Sequence, residues 1–222
     1  MNDAVTARVK GSLRTMVDFD CPTCDADAQV QAVAADHLTC RTCGASRPFR
    51  LGRLHLVTGS PGTGKSTVGR VLATRSPTDL VVLDTDLTVR PEHDSSEGAW
   101  LGFIDTWLRT AVGVAQGGHS LVLVGYSMPH QWEQQPLRHF LGPIDYVALV
   151  CSDRELDRRL RERSWMGSQP GERAGLIELN RTFRSRTDMT LIETDQRSPE
   201  AVADRILSLN CLRSRPRDGG SS

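Results

Sequence analysis

The sequence predicts an α/β fold, a five-stranded parallel sheet flanked by helices and preceded by a small zinc ribbon. Three observations carry this expectation. Gly59-Ser60-Pro61-Gly62-Thr63-Gly64-Lys65-Ser66-Thr67 fits the phosphate-loop pattern G-x-x-x-x-G-K-[ST] at every fixed position, between an apolar run and a helical spacing. From Arg53 to Leu209, short apolar runs alternate with helical periodicities, the order that builds parallel sheets with right-handed crossovers. Ahead of them stand Cys21-x-x-Cys24 and Cys40-x-x-Cys43, with 15 residues between the two pairs.

Composition excludes several classes. The chain has 222 residues, with 27 Lys plus Arg against 27 Asp plus Glu, so no net field draws it to nucleic acid or to an anionic membrane. No apolar run is long enough to cross a bilayer, and Met1 to Gly11 lacks the apolar core of a signal peptide, so a cytoplasmic location is expected. Four of the six cysteines fall in C-x-x-C pairs, which in a reducing compartment points to metal ligands rather than disulfides.

In chain order, residues 1–18 are polar and read as a flexible N-terminus, and residues 19–50 as the ribbon. Structural Zn²⁺ wants a closed tetrahedron, and two residues between thiolates let one tight turn present both, so Cys21, Cys24, Cys40 and Cys43 are the expected ligands. The segment between them suits a hairpin too small to fold without metal. A redox dithiol is the competing reading, but no βαβ pattern surrounds these cysteines. His37 reads as a surface histidine or a substitute ligand. Arg41, Arg47, Arg50 and Arg53 with Phe49 form either a solvated linker or a small nucleic-acid face.

Leu54 to Thr58 is the first strand of the main sheet, and the glycines of the loop let consecutive N–H groups converge on phosphate. Lys65 reaches the β- and γ-phosphates of ATP, Ser66 is the expected Mg²⁺ ligand, and the helix runs from Ser66 to Thr74. Asp79 to Asp84 is the second strand, ending in Asp84-Thr85-Asp86 at the carboxyl edge, where open α/β sheets bind ligands. Asp84 is expected to hold Mg²⁺, Asp86 to orient or deprotonate the acceptor, and Arg90 to steady an anionic substrate group.

Trp100 to Val114 forms a helix whose Trp100, Phe103 and Trp107 are either core or a platform for a substrate ring. Ser120 to Gly125 is the third strand. No acid ends it, so metal duty falls to Asp84, while Gly125 permits close approach of a ligand and Tyr126, Ser127 and His130 are acceptor-binding candidates. Asp145 to Cys151 is the fourth strand, with Cys151 buried. In the helix from Asp153 to Arg163, Arg159 and Arg163 share a face and are expected to meet the transferred phosphate, while other arginines pair with Glu155, Asp157 and Glu162. Ser164 to Ala174 reads as a short flap closing over the site. A helix from Leu176 to Arg186, a fifth strand from Met189 to Glu193, a last helix opening at Ser198-Pro199-Glu200, and a disordered tail, 211–222, complete the chain.

With the phosphate loop, Asp84-x-Asp86 and the Arg159-Leu160-x-x-Arg163 helix in view, the segment from about Arg53 to Leu209 resembles the P-loop kinases of the nucleoside monophosphate kinase-like superfamily. Shikimate, gluconate and adenylylsulfate kinases are the branches whose loops look closest. The resemblance implies that residues 53–210 form a kinase domain with strand order 2-3-1-4-5, that ATP is the phosphoryl donor, and that Thr194 to Arg197 borders the adenine. It further implies a small hydroxyl compound, nucleoside- or sugar-like, as acceptor. A polynucleotide 5′-hydroxyl kinase or a nucleotide-dependent switch is the alternative. Gly125-Tyr126-Ser127 departs from the glycine-rich acceptor loop of shikimate kinase, which leaves substrate identity open.

Overall fold

The computed structural model describes residues 19–34, 36–88, 97–162 and 169–209. The N-terminus 1–18, the tail 211–222, Arg90, Arg163 and the first half of the expected flap lie outside the described residues.

The N-terminal module is a three-stranded antiparallel sheet of β1 (Gln31–Val33), β2 (His37–Cys40) and β3 (Ser46–Pro48), in that order. The expected hairpin is β1–β2, and β3 adds a third strand, pairing Leu38 with Arg47. His37 lies exposed on β2, its Nδ1 2.7 Å from the Asp36 carboxylate, as a surface histidine. Beyond β3 the chain does not swing free. Phe49 is buried, and its ring lies 5.7 Å from that of Phe140, which Phe19 meets edge-on at 5.1 Å. The Arg50 backbone is gripped by Gln116, whose Oε1 accepts from the Arg50 N–H (2.9 Å) while its Nε2 donates to the Arg50 carbonyl (2.8 Å). The linker reading for this segment is thereby corrected, and Phe49 belongs to the core rather than to a base-stacking face.

The main sheet holds five parallel strands: β4 (Gly52–Thr58), β5 (Leu80–Asp84), β6 (Ser120–Val124), β7 (Leu141–Val150) and β8 (Thr190–Glu193). They lie in the order β5-β6-β4-β7-β8, the 2-3-1-4-5 arrangement expected. Both faces are covered, which is why these strands read as continuous apolar runs rather than alternating ones. Leu54, Leu56, Leu121 and Leu123 pack on one face against α2 (Glu97–Gln116). Val57, Val122 and Val124 pack on the other against α1 (Lys65–Arg75) and α6 (Pro199–Leu207). The remaining helices are α3 (Pro129–Glu133), α4 (Asp153–Arg161) and α5 (Pro170–Arg184).

Two departures from the sequence expectation have a clear physical cause. β7 begins at Leu141, not Asp145, because the pairing with β4 slips between Gly52 and Leu54 and absorbs Pro143, a residue that otherwise argues against a strand. Residues 170–174 are the first turns of α5 rather than a flap: Pro170 takes the first helical position, where its missing N–H costs nothing.

Candidate functional site

The phosphate loop joins β4 to α1 at the carboxyl edge of the sheet. Gly59, Gly62 and Gly64 all carry positive φ (139°, 98° and 100°), conformations that L side chains rarely adopt. Gly64 is also the N-cap of α1 and offers no side-chain cap, so the opening amides of the helix are aimed into the loop. Pro61 and Thr63 complete the curl, the Thr63 hydroxyl donating to the Ser60 carbonyl at 2.9 Å. Lys65 Nζ donates to the carbonyls of Gly59 (2.9 Å) and Ser60 (3.1 Å), so the ammonium arches over the loop it helps to shape. Ser66 and Thr67 are exposed on the first turn of α1. This is an anion cradle in form, with a cation at its centre and a helix start beneath.

The acid pair stands on the same edge. Asp84 and Val57 are both in register with Val124 of the intervening β6, which places Asp84 level with the end of β4 at two strand spacings, roughly 10 Å away. Asp84 is half-buried, and its Oδ1 accepts from the Asp86 N–H at 3.0 Å, capping a single 3-10 turn from Thr85 to Leu87. Asp86 is exposed. Asp84 thus caps this turn with one carboxylate oxygen and keeps the other at the edge.

Gly125 serves a different purpose from the one expected. A Cβ there would meet the buried Thr85 side chain, so the glycine admits Thr85 rather than a ligand. Ser127 is buried, its N–H bonded to Thr58 Oγ1 (3.0 Å) and its carbonyl accepting from the same hydroxyl (2.9 Å), so its backbone ties β6 to β4. Tyr126 is half-buried, its ring parallel to that of Trp100 within 11° at 6.0 Å, and burial raises its phenol above the ordinary value.

Arg159 bridges the loop to the far side of the site. Its guanidinium donates to the Thr63 carbonyl (3.4 Å), Thr194 Oγ1 (3.0 Å) and the Thr194 carbonyl (3.0 Å), while Nε donates to Glu155 (2.7 Å). The Arg158 bonds, aided by Arg159, hold the Glu155 carboxyl down at about 2. Asp195, in the stretch expected to border adenine, accepts from the Ser152 N–H at 2.7 Å. Cys151 is buried and its thiol is pushed up to about 11 by that burial.

Sequence reasoning missed the groups that hold α5 against the loop. Ser60 Oγ donates to the Leu176 carbonyl (2.8 Å), and one turn on the fully buried Asn180 donates to the Cys151 carbonyl (2.7 Å). A lone asparagine at the polar-apolar boundary of α5 was the only signal available.

In the N-terminal module the four cysteines converge. Cys21 Sγ lies 3.6 Å from Cys43 Sγ and Cys24 Sγ 3.8 Å from Cys40 Sγ, and all four sulfurs fall within 4.8 Å of one another. A tetrahedron of four Zn–S bonds of about 2.3 Å has edges of about 3.8 Å, so the donor set fits Zn²⁺, whereas a disulfide needs about 2.05 Å. The Thr23 N–H chiefly lowers the Cys21 thiol, burial opposing, and the Cys43 N–H does the same for Cys40, which falls to about 6. Those two thiols ionise readily for a metal, whereas Cys24, despite the Ala26 N–H that lowers it, is pushed up to about 12 by the neighbouring thiols and burial.

Fold and loop together define a P-loop α/β protein. A family described as an AAA domain matches residues 56–177, just over half of the sequence, and the chain belongs to that family. The matched stretch runs from β4 into α5 and takes in the loop, the acid pair and Arg159. The gluconokinase of Gluconobacter oxydans is 32% identical over 123 residues, covering 50% of this chain and 65% of that protein. Among solved structures, the APS kinase of Mycobacterium tuberculosis superposes with a TM-score of 0.52 at 17% identity, over 71% of this chain and 96% of its own. The tunicamycin resistance protein of Deinococcus radiodurans does so with 0.51 at 15% identity, over 70% and 94%. At those identities the structures speak to the fold alone, and that fold is the nucleoside monophosphate kinase-like one that the sequence resembles.

Proposed function

We propose that the protein is a small-molecule kinase, moving the γ-phosphoryl group of ATP to a hydroxyl of a nucleoside- or sugar-like compound. The observation that carries this reading is the uncapped start of α1, curled under Lys65, on the same sheet edge as Asp84 and Asp86. Lys65 and the backbone N–H groups of residues 59–67, Pro61 excepted, hold the triphosphate. Ser66 and Asp84 are the residues that would hold Mg²⁺, which when bound neutralises charge on the phosphate oxygens. The acceptor oxygen attacks the γ-phosphorus as the bond to the β,γ-bridging oxygen breaks. ADP departs with that electron pair, and the acceptor proton passes to Asp86. Tyr126 and Arg90 are the residues we assign to binding the acceptor. Arg159 fixes the loop against Thr194, and with Arg163 offsets charge on the group in flight.

On this reading residues 53–210 form the kinase domain, residues 19–50 a ribbon in which Cys21, Cys24, Cys40 and Cys43 would close around structural Zn²⁺, and the setting is the cytoplasm. The test is a screen of nucleosides, sugars and 5′-hydroxyl oligonucleotides with labelled ATP, repeated with Lys65→Ala. Transfer to one of the small compounds, reduced about 10²–10³-fold in the variant, supports the assignment. Full turnover by Lys65→Ala refutes it.

A further inference from the structure

The phosphate loop is packed from three sides by elements that come much later in the chain. A Cβ at Gly59 would meet the Leu149 carbonyl of β7 at 2.3 Å, and one at Gly62 would meet Leu156 and Leu160 of α4 at 2.6 and 3.1 Å. On the third side the contact is polar. Ser60 is fully buried, and its Oγ donates to the Leu176 carbonyl in the middle of α5 (2.8 Å). That helix is itself well seated. Asn180 Nδ2 donates to the Cys151 carbonyl (2.7 Å) while its Oδ1 accepts from the Cys151 N–H (3.4 Å), and Leu176 and Ile177 pack beside Leu156 and Leu160, the side chains that crowd Gly62.

The bonds that shape the loop converge on the Ser60 peptide. Its carbonyl accepts from the Thr63 N–H (3.3 Å), from Thr63 Oγ1 (2.9 Å) and from Lys65 Nζ (3.1 Å). The Ser60 hydroxyl is turned to α5, so it acts on a bound nucleotide through the backbone it fixes. The ammonium that reaches the β- and γ-phosphates rests on the Gly59 and Ser60 carbonyls, whereas the opening amides of α1 form the other end of the cradle. Fixing Ser60 therefore bears on the terminal phosphate more than on the inner ones. Deleting the hydroxyl strands nothing on α5, because a mid-helix carbonyl keeps its partner four residues on. What is lost is one neutral hydrogen bond, about two- to ten-fold in an equilibrium constant.

Resting on the kinase reading above, we propose that Ser60 is a positioning residue for the terminal phosphate: its hydroxyl ties α5 to the loop and holds the Ser60 peptide in the orientation that a triphosphate, but not a diphosphate, depends on. The experiment is calorimetric titration, with Mg²⁺ present, of ADP and of the non-hydrolysable ATP analogue AMP-PNP. It uses the full chain and its Ser60→Ala, Ser60→Val and Ser60→Thr variants, each first checked for native circular dichroism. Val and Thr match in shape, and only Thr keeps a donor. Expected is a Kd for AMP-PNP raised about three- to ten-fold in Ser60→Ala and Ser60→Val, with the Kd for ADP within about two-fold, and recovery of most of the loss in Ser60→Thr. Three results overturn the proposal: AMP-PNP weakened less than about three-fold in Ser60→Ala, ADP weakened as much as AMP-PNP, or Ser60→Thr as weak as Ser60→Val. Should a branched side chain prevent folding, Ser60→Ala decides alone by the first two. Each of these leaves the kinase reading standing, since the unaltered chain still binds both nucleotides. Binding of neither by the unaltered chain sinks that reading and the proposal with it.

Discussion

Thr85 occupies the space that any side chain at Gly125 would need: a Cβ built there comes within 2.0 Å of Thr85 Oγ1 and 2.6 Å of its Cγ2. The turns leaving β5 and β6 are therefore interlocked, one supplying Asp84 and Asp86, the other Tyr126. The same contact explains why no acid ends β6, since the position has room for none.

Replacing Gly125 with Ala should accordingly destabilise the fold by about 1–3 kcal/mol, the usual cost of overpacking. Thr85→Ala removes two of the three atoms in the way, leaving the Thr85 Cβ at 2.8 Å, so the double variant should recover part of that loss. Urea denaturation of the three variants checks this as a double-mutant cycle. Strict additivity would mean that the turns do not interlock.

The parts of this architecture that could be read from sequence are those with a local cause. β4, β5 and β6 are short apolar runs, and the loop between β4 and α1 is spelled out by glycines that must take positive φ. The missed parts have non-local or ambiguous causes. Gly142 and Pro143 hid the first residues of β7, because only the slip in pairing against Gly52 makes room for them. Pro170 and Gly171 have the composition of a loop and the position of a helix start. Gln116, Gln135 and Asn180 bond partners 66, 34 and 29 residues away, and a single polar side chain inside a helix gives no periodicity that announces such a partner. The aromatic stripe of α2 was half legible. Helical spacing grouped Trp100 with Phe103 and Trp107, and only the fold separates the half-buried ring from the two in the core.

The ribbon and the main sheet should unfold together. Phe49 and Phe19 reach the core through Phe140, and Gln116 grips the Arg50 backbone, so loss of the metal would free an aromatic side chain from both sides at once. Burying a Phe contributes about 1.5–3 kcal/mol, and about 2–4 °C of Tm accompanies each kcal/mol in a chain of this size. Cys40→Ser, or a strong zinc chelator, is expected to lower the main calorimetric transition by about 4–8 °C. An early, separate ribbon transition with the main one unmoved would show the two units to be independent.

Acid should loosen the far side of the loop. The Arg158 hydrogen bonds, with Arg159, lower the Glu155 carboxyl from 4.5 to about 2, so the stability it contributes is complete above its ordinary value and is lost as pH falls from about 4.5 towards about 2. The group is partly exposed, which keeps that contribution at neutral pH within about 1 kcal/mol. Urea midpoints for Glu155→Gln should lie slightly below those of the unaltered chain at pH 7 and converge with them near pH 2.5. Because Glu155 also anchors Arg159 against Thr63 and Thr194, the variant should raise the KM for ATP. An equal difference in midpoint at both pH values would place the origin of the effect elsewhere.

Asp84 and Asp86 can be told apart by what each does for the backbone. Asp84 Oδ1 accepts the Asp86 N–H, and Asn can accept it equally well, so Asp84→Asn removes charge while keeping the cap, whereas Asp84→Ala should also lose about 1 kcal/mol of stability. If Asp84 is the metal-side group, Asp84→Asn should raise the Mg²⁺ concentration needed for half-maximal ATP binding at unchanged Tm. Asp86, exposed and one residue further along the edge, should behave in the opposite sense: Asp86→Asn binds ATP as before and fails to transfer its phosphoryl group. Equilibrium nucleotide titration with and without Mg²⁺, set beside single-turnover transfer, separates the two. A loss of ATP affinity in Asp86→Asn with transfer otherwise intact would reverse the assignment, making Asp86 the metal-side carboxylate and leaving the acceptor proton to Asp84.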